Sequence, residues 1–97
     1  FESKDFGKIR TTKINDEPWF VGKDVASCLA YSNSRKALAD HVDDEDKGVT
    51  KIDTSGGRQQ VIIINESGLY HLLMRSEKMS ASKKQAFTTS LQKEGYL

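Results

Sequence analysis

Residues Pro18 to Val42, PWFVGKDVASCLAYSNSRKALADHV, constrain this chain more than any other stretch. Within 25 residues they run from an aromatic strand through a short apolar-periodic helix and a polar turn into a second helix led by Ser-Arg-Lys. That order is the outline of a helix-turn-helix, a unit that lays its second helix in a DNA groove. A second feature follows at Thr54-Ser55-Gly56-Gly57-Arg58-Gln59, a Gly-Gly hairpin tip carrying a cation in the manner of a wing.

Local signals predict the elements around this unit. Ile9 to Ile14 alternates as a strand does, and Asn15-Asp16-Glu17-Pro18 is turn chemistry that returns the chain as Trp19-Phe20-Val21. The first helix is expected from Lys23 to Ala30, burying Val25, Ala26 and Leu29, with Asp24 favouring its start. Ser32, Asn33 and Ser34 are each suited to cap a second helix that reaches Val42. Leu38 and Val42 form its core stripe, leaving Asn33, Lys36 and Asp40 on the opposite face. Asp43 to Gly48 reads as a polar loop. Val49–Asp53 and Gln60–Ile64 read as a second hairpin whose tip glycines, Gly56 and Gly57, both supply positive φ. The unbroken Val61-Ile62-Ile63-Ile64 run predicts a strand covered on both faces. Asn65 caps a third helix, Glu66–Arg75, and Lys83–Lys93 forms a fourth with a thin apolar stripe. The expected fold class is α+β: a small single domain over 1–97, two β-hairpins packed on short helices, helix-turn-helix-like with a wing-like hairpin.

Composition narrows the function. No apolar run approaches the roughly 20 residues of a membrane span, so no membrane partner is expected. A single cysteine, Cys28, permits no internal disulfide and suits a reducing cytoplasm, where it serves as a small core residue. The net charge of +1 is modest for a nucleic-acid binder, but the acids gather at Asp43–Asp46 while Arg35-Lys36, Lys51, Arg58 and Lys83-Lys84 lie apart from them. The acidic run lacks the alternation and closing Glu of a calcium loop, and His41, His71 and Cys28 lack zinc-ligand spacing. Ser55-Gly56-Gly57-Arg58 lacks the Gly-Lys-Ser/Thr element of a phosphate loop. No nucleophile stands with a base and an orienting group. No catalytic residue, metal or cofactor is therefore expected.

The candidate contacts are those of DNA recognition. Asn33, Ser34, Arg35 and Lys36 supply donors at the first turn of the second helix: Asn for an adenine edge, Arg for a guanine edge, Ser and Lys for phosphates. Arg58, with Lys51 nearby, supplies the wing contact to the backbone. The plainer reading of the same residues is a solvated helix start and an ordinary hairpin tip.

Several linked segments resemble the Bro-N domain of prophage antirepressors and baculovirus BRO proteins. They are Glu17-Pro18-Trp19-Phe20-Val21 with Lys23-Asp24-Val25-Ala26, Leu29-Ala30-Tyr31-Ser32-Asn33, Lys36-Ala37-Leu38, Asp40 to Lys47, Gly56 to Gln59 and Ile64 to Tyr70. The resemblance runs from Phe6 to Ser76. It implies a DNA-binding module at the N-terminus of a longer phage or viral regulator acting in the host cytoplasm. In antirepressors the implied outcome is relief of repression. The segment after the third helix departs from the family, being shortened and lacking a Trp before the closing Gly95-Tyr96. The expected partner is double-stranded DNA, bound by a monomer or homodimer. The rival expectation is a protein-interaction module that captures a phage repressor without touching DNA.

Overall fold

A computed structural model describes all of residues 1–97. Two very short strands, β1 (Glu2–Ser3) and β2 (Gly7–Lys8), pair antiparallel at the N-terminus. The main sheet is antiparallel throughout. Its strands β3 (Thr11–Ile14), β4 (Glu17–Val21), β5 (Lys47–Thr54) and β6 (Gly57–Ile64) lie in the order β3-β4-β6-β5.

The first hairpin turns on two residues. Asn15 and Asp16 both have positive φ, 53° and 64°, as the twist-matched two-residue turn requires. Pro18, expected in this turn, instead lies in β4 opposite Lys13. The closing pair Ile14–Glu17 exchanges hydrogen bonds and the next pair does not, so a residue without an N–H costs β3 nothing there. The second hairpin is longer than expected and closes at Thr54–Gly57. Only Gly57, at φ +107°, takes the left-handed conformation; Gly56 does not, which corrects the expectation for the tip. The Thr54 hydroxyl replaces that demand by accepting from Gly56 N–H at 3.2 Å and donating to the Gly57 carbonyl at 2.7 Å.

Strand β6 is central, yet its apolar run is not covered on both faces. Val61, Ile63 and Ile64 are buried, whereas Ile62 remains 39% exposed. Register explains the difference. Phe20 and Ile64 are partners on the face that meets the helices and belong to the main core, with Ile9, Leu29, Leu69, Leu72 and Phe87. Val21 and Ile63 are partners on the other face, in a small cluster with Val61, Trp19 and Ile52. Ile62 points to the helix side beyond the part of the sheet that helices cover.

Helix α1 (Gly22–Cys28) has no side-chain cap. Asp24 in its first turn instead accepts from the Arg10 backbone N–H and guanidinium, at 3.0, 2.8 and 2.9 Å, tying the helix to the residue that leads into β3. The helix ends two residues before Ala30, earlier than expected, because Ala30 adopts φ +67°. Tyr31 N–H bonds the Ala26 carbonyl and Ala30 N–H the Ser27 carbonyl, the paired bonds of a Schellman ending. Helix α2 (Ser34–His41) is capped by Asn33, α3 (Glu66–Arg75) by Asn65, and α4 (Ala81–Lys93) by Ser80. Phe87 and Leu91 of α4 are fully buried, so a thin stripe still anchors that helix. Its closing Gly95-Tyr96 sets Tyr96 against Phe1 and Phe20. The acidic run is not simply a loop: Asp44–Asp46 forms one 3₁₀ turn before β5. The architecture is the expected α+β one. No helix is long and apolar enough to cross a membrane.

Candidate nucleic-acid interface

The first turn of α2 divides the predicted contact residues between two sides. Ser34 and Arg35 border a groove that Gln60 and Ile62 of β6 and Lys23 of α1 also line. Lys51 pairs with Gln60 across the ladder, and Arg58 stands two residues from Gln60 on the same strand. Side chains two apart on a strand share a face. Lys51, Arg58, Gln60 and Ile62 therefore form one surface continuous with Ser34 and Arg35. Asn33 and Lys36 border a separate crevice with Tyr31 and Asp40.

Hydrogen bonding sorts the same residues by what they have left to offer. Oδ1 of Asn33 accepts from the Lys36 backbone N–H at 3.1 Å, which commits its carbonyl end to the helix cap. Lys36 Nζ lies 2.8 Å from Asp40, an exposed pair one helical turn apart. The hydrogen bond to Asp40 raises the Lys36 ammonium above its ordinary range and lowers the Asp40 carboxyl below its own. Arg58 Nε is 3.4 Å from Asp53 at the hairpin tip. Arg35, Lys51 and Lys23 have no carboxylate partner. Among these candidate contacts, the cations without a carboxylate partner thus lie on the groove side.

Sequence reasoning missed Lys23, Gln60 and Ile62. The β-face residues were recoverable from the tip, because a two-residue turn at Ser55-Gly56 fixes which residues of β5 and β6 face each other. Nothing local marked Lys23, which reaches the groove only because α1 and α2 pack side by side. Val49, 58% exposed opposite Ile62, adds an apolar step to the same face.

The model of the BRO family N-terminal domain, Bro-N, matches residues 8–93. The chain belongs to the Bro-N family. The match spans all of β3 to β6 and all four helices, so the segment after α3, expected to depart from the family, lies within the matched domain. Among curated proteins this Bro-N domain is 44% identical over 73 residues to an uncharacterized protein of Haemophilus influenzae, covering 73% of this chain and 35% of that one. It is 36% identical over 88 residues to a protein of Invertebrate iridescent virus 6 whose name assigns it a Bro-N domain, covering 72% of this chain and 21% of the relative. The chain thus spans well under half the length of either relative. No solved structure matches it. Membership makes this a BRO-type regulatory domain of the phage and viral kind.

Proposed function

We propose that this Bro-N domain binds double-stranded DNA, with the first turn of α2 in the major groove and the β5–β6 hairpin against the backbone. One observation carries the reading: Lys23, Ser34 and Arg35 line a single groove with Gln60, Lys51 lies beside Gln60 across the ladder, and none of these three cations has a carboxylate partner. Arg35 is the base reader, Gln60 stands opposite it as a second amide or base-edge donor, and Lys51 and Arg58 hold phosphates. Asn33 acts through the cap, and Lys36 contributes a phosphate contact from the other side of the turn. In this reading the domain is the DNA-binding part of a phage or prophage antirepressor-type regulator in the host cytoplasm. Two copies on two half-sites would offset the few bases one small domain covers.

Mobility shift of the purified domain with a random duplex pool, at low and near-physiological salt, tests this. Retention should fall steeply with salt, and Arg35→Ala should cost about 1–3 kcal/mol and relax the selected sequence. A second reading has its own support in the net charge of only +1. There the domain binds and inactivates a repressor without contacting DNA. A folded domain that retains no DNA at low salt would replace the first reading with the second.

A further inference from the structure

The acidic run places its carboxylates in two directions. Asp43 precedes the 3₁₀ turn Asp44–Asp46, which closes when Asp46 N–H donates to the Asp43 carbonyl at 2.9 Å. Residues three apart in such a turn stand one above the other, so Asp43 and Asp46 share a side. Asp44 turns elsewhere, its carboxylate 3.5 Å from Lys47 Nζ. Helix α3 passes the first side and delivers His71. One ligand-type atom each from Asp43, Asp46 and His71 all lie within 4.8 Å of one another.

The geometry around Asp46 separates this group from a solvated acidic patch. Its side chain is only 16% exposed. Oδ1 accepts from Asn65 Nδ2 at 3.2 Å, and Asn65 Oδ1 accepts from Gly68 N–H at 3.0 Å. Both ends of the Asn65 amide are thereby committed, which leaves Oδ2 of Asp46 directed at His71 Nδ1, 3.8 Å away. That gap is too long for a hydrogen bond. It is close to the spacing of two donors on one ion, about 3.4 Å for tetrahedral bonds of about 2.0–2.2 Å.

We propose that Asp43, Asp46 and His71 bind a divalent first-row transition-metal ion of the zinc or manganese type, with Asn65 as the residue that positions Asp46. Mixed carboxylate and imidazole donors suit these ions, whereas magnesium takes an all-oxygen octahedral shell. Three protein donors leave at least one position for water. An amide holding a ligating carboxylate from behind is the usual outer-shell arrangement. The bound ion fastens the segment before β5 to α3, independently of the DNA reading.

Calorimetric titration of the purified chain with Zn²⁺ alone tests the site, and Mn²⁺ line broadening in NMR spectra locates it. One zinc per chain is expected, with Tm raised by about 10–20 °C at a concentration a hundredfold above Kd. His71→Ala and Asp46→Asn should each weaken binding by about tenfold or more. His71 is 47% exposed, so its removal leaves the core intact. Zinc affinity unchanged in His71→Ala, or no saturable binding, overturns the proposal. Should either variant fail to fold, the Mn²⁺ map of the unaltered chain decides. Broadening centred on Asp43, Asp46 and His71 supports the site, and broadening elsewhere or none overturns it.

Discussion

Asp24 shows how a single side chain can serve two elements. Its burial alone would push the carboxyl up, but the Arg10 side-chain and backbone hydrogen bonds and the Arg10 charge outweigh that and hold it below the ordinary value of 3.8. The sign of the pH dependence follows. A carboxyl lowered in the folded state contributes its full stability above the unfolded value and loses it as pH falls through that value to the folded one. Asp24→Asn should therefore destabilise by about 1.5–3 kcal/mol near neutrality. The gap between variant and parent should narrow as pH falls below 3.8 toward the lowered folded-state value. Urea midpoints of both proteins at about pH 6 and about pH 3 check this, and an equal gap at both would reject the ion pair as its source. Trp19 stands as a contrast: its indole N–H is buried without an acceptor, a donor whose cost the strand pattern EPWFV could not forecast.

Helix ends form the next scale, and two of them solve one problem differently. Both α1 and α4 finish in paired Schellman bonds, α4 with Gly95 at φ +82° and α1 with Ala30 at φ +67°. A glycine bears that conformation without strain, whereas a Cβ costs about 1–2 kcal/mol. Ala30→Gly should stabilise the domain by about 0.5–1 kcal/mol, the gain being reduced by glycine's greater freedom when unfolded. In a domain of this size that is about 2–8 °C in Tm, and an unchanged or lower Tm would show that the turn is not strained. The position also sets the geometry between α1 and α2, since the chain reverses there before Asn33 caps the second helix. Asn65 does parallel work for α3: the same amide that caps the helix reaches back to Asp46.

At the scale of the whole molecule, charge distribution matters more than total charge. Asp53 faces Arg58 at the hairpin tip, and both side chains are largely exposed, so the pair contributes little stability. Its larger effect is to mask a cation on the proposed DNA face. Asp53→Ala should leave Tm nearly unchanged while tightening DNA binding by about threefold or more at low salt and steepening the salt dependence by about one phosphate contact. Mobility shifts over a salt series measure both. Weaker or unaltered binding would take Arg58 out of the interface.

Sequence by itself determined what local chemistry determines. Asn65 and Glu66–Arg75 were legible as cap and helix because one amide and a Leu69-Leu72-Leu73 stripe suffice to specify them. Asn15-Asp16 specified its turn for the same reason. The α+β class and the Bro-N resemblance likewise rest on short-range pattern and order. Pro18 was misplaced because its tolerance depends on which ladder positions exchange hydrogen bonds, a property of the partner strand. Ile62 was misread because periodicity cannot tell which stretch of a strand lacks a covering helix. Only the tertiary structure put Lys23 beside Arg35, and only it put Asp43 and Asp46 against His71, more than two dozen residues later in the chain. Those juxtapositions come from helix packing and sheet register, whose contacts are non-local and leave no mark on the spacing of residues along the chain.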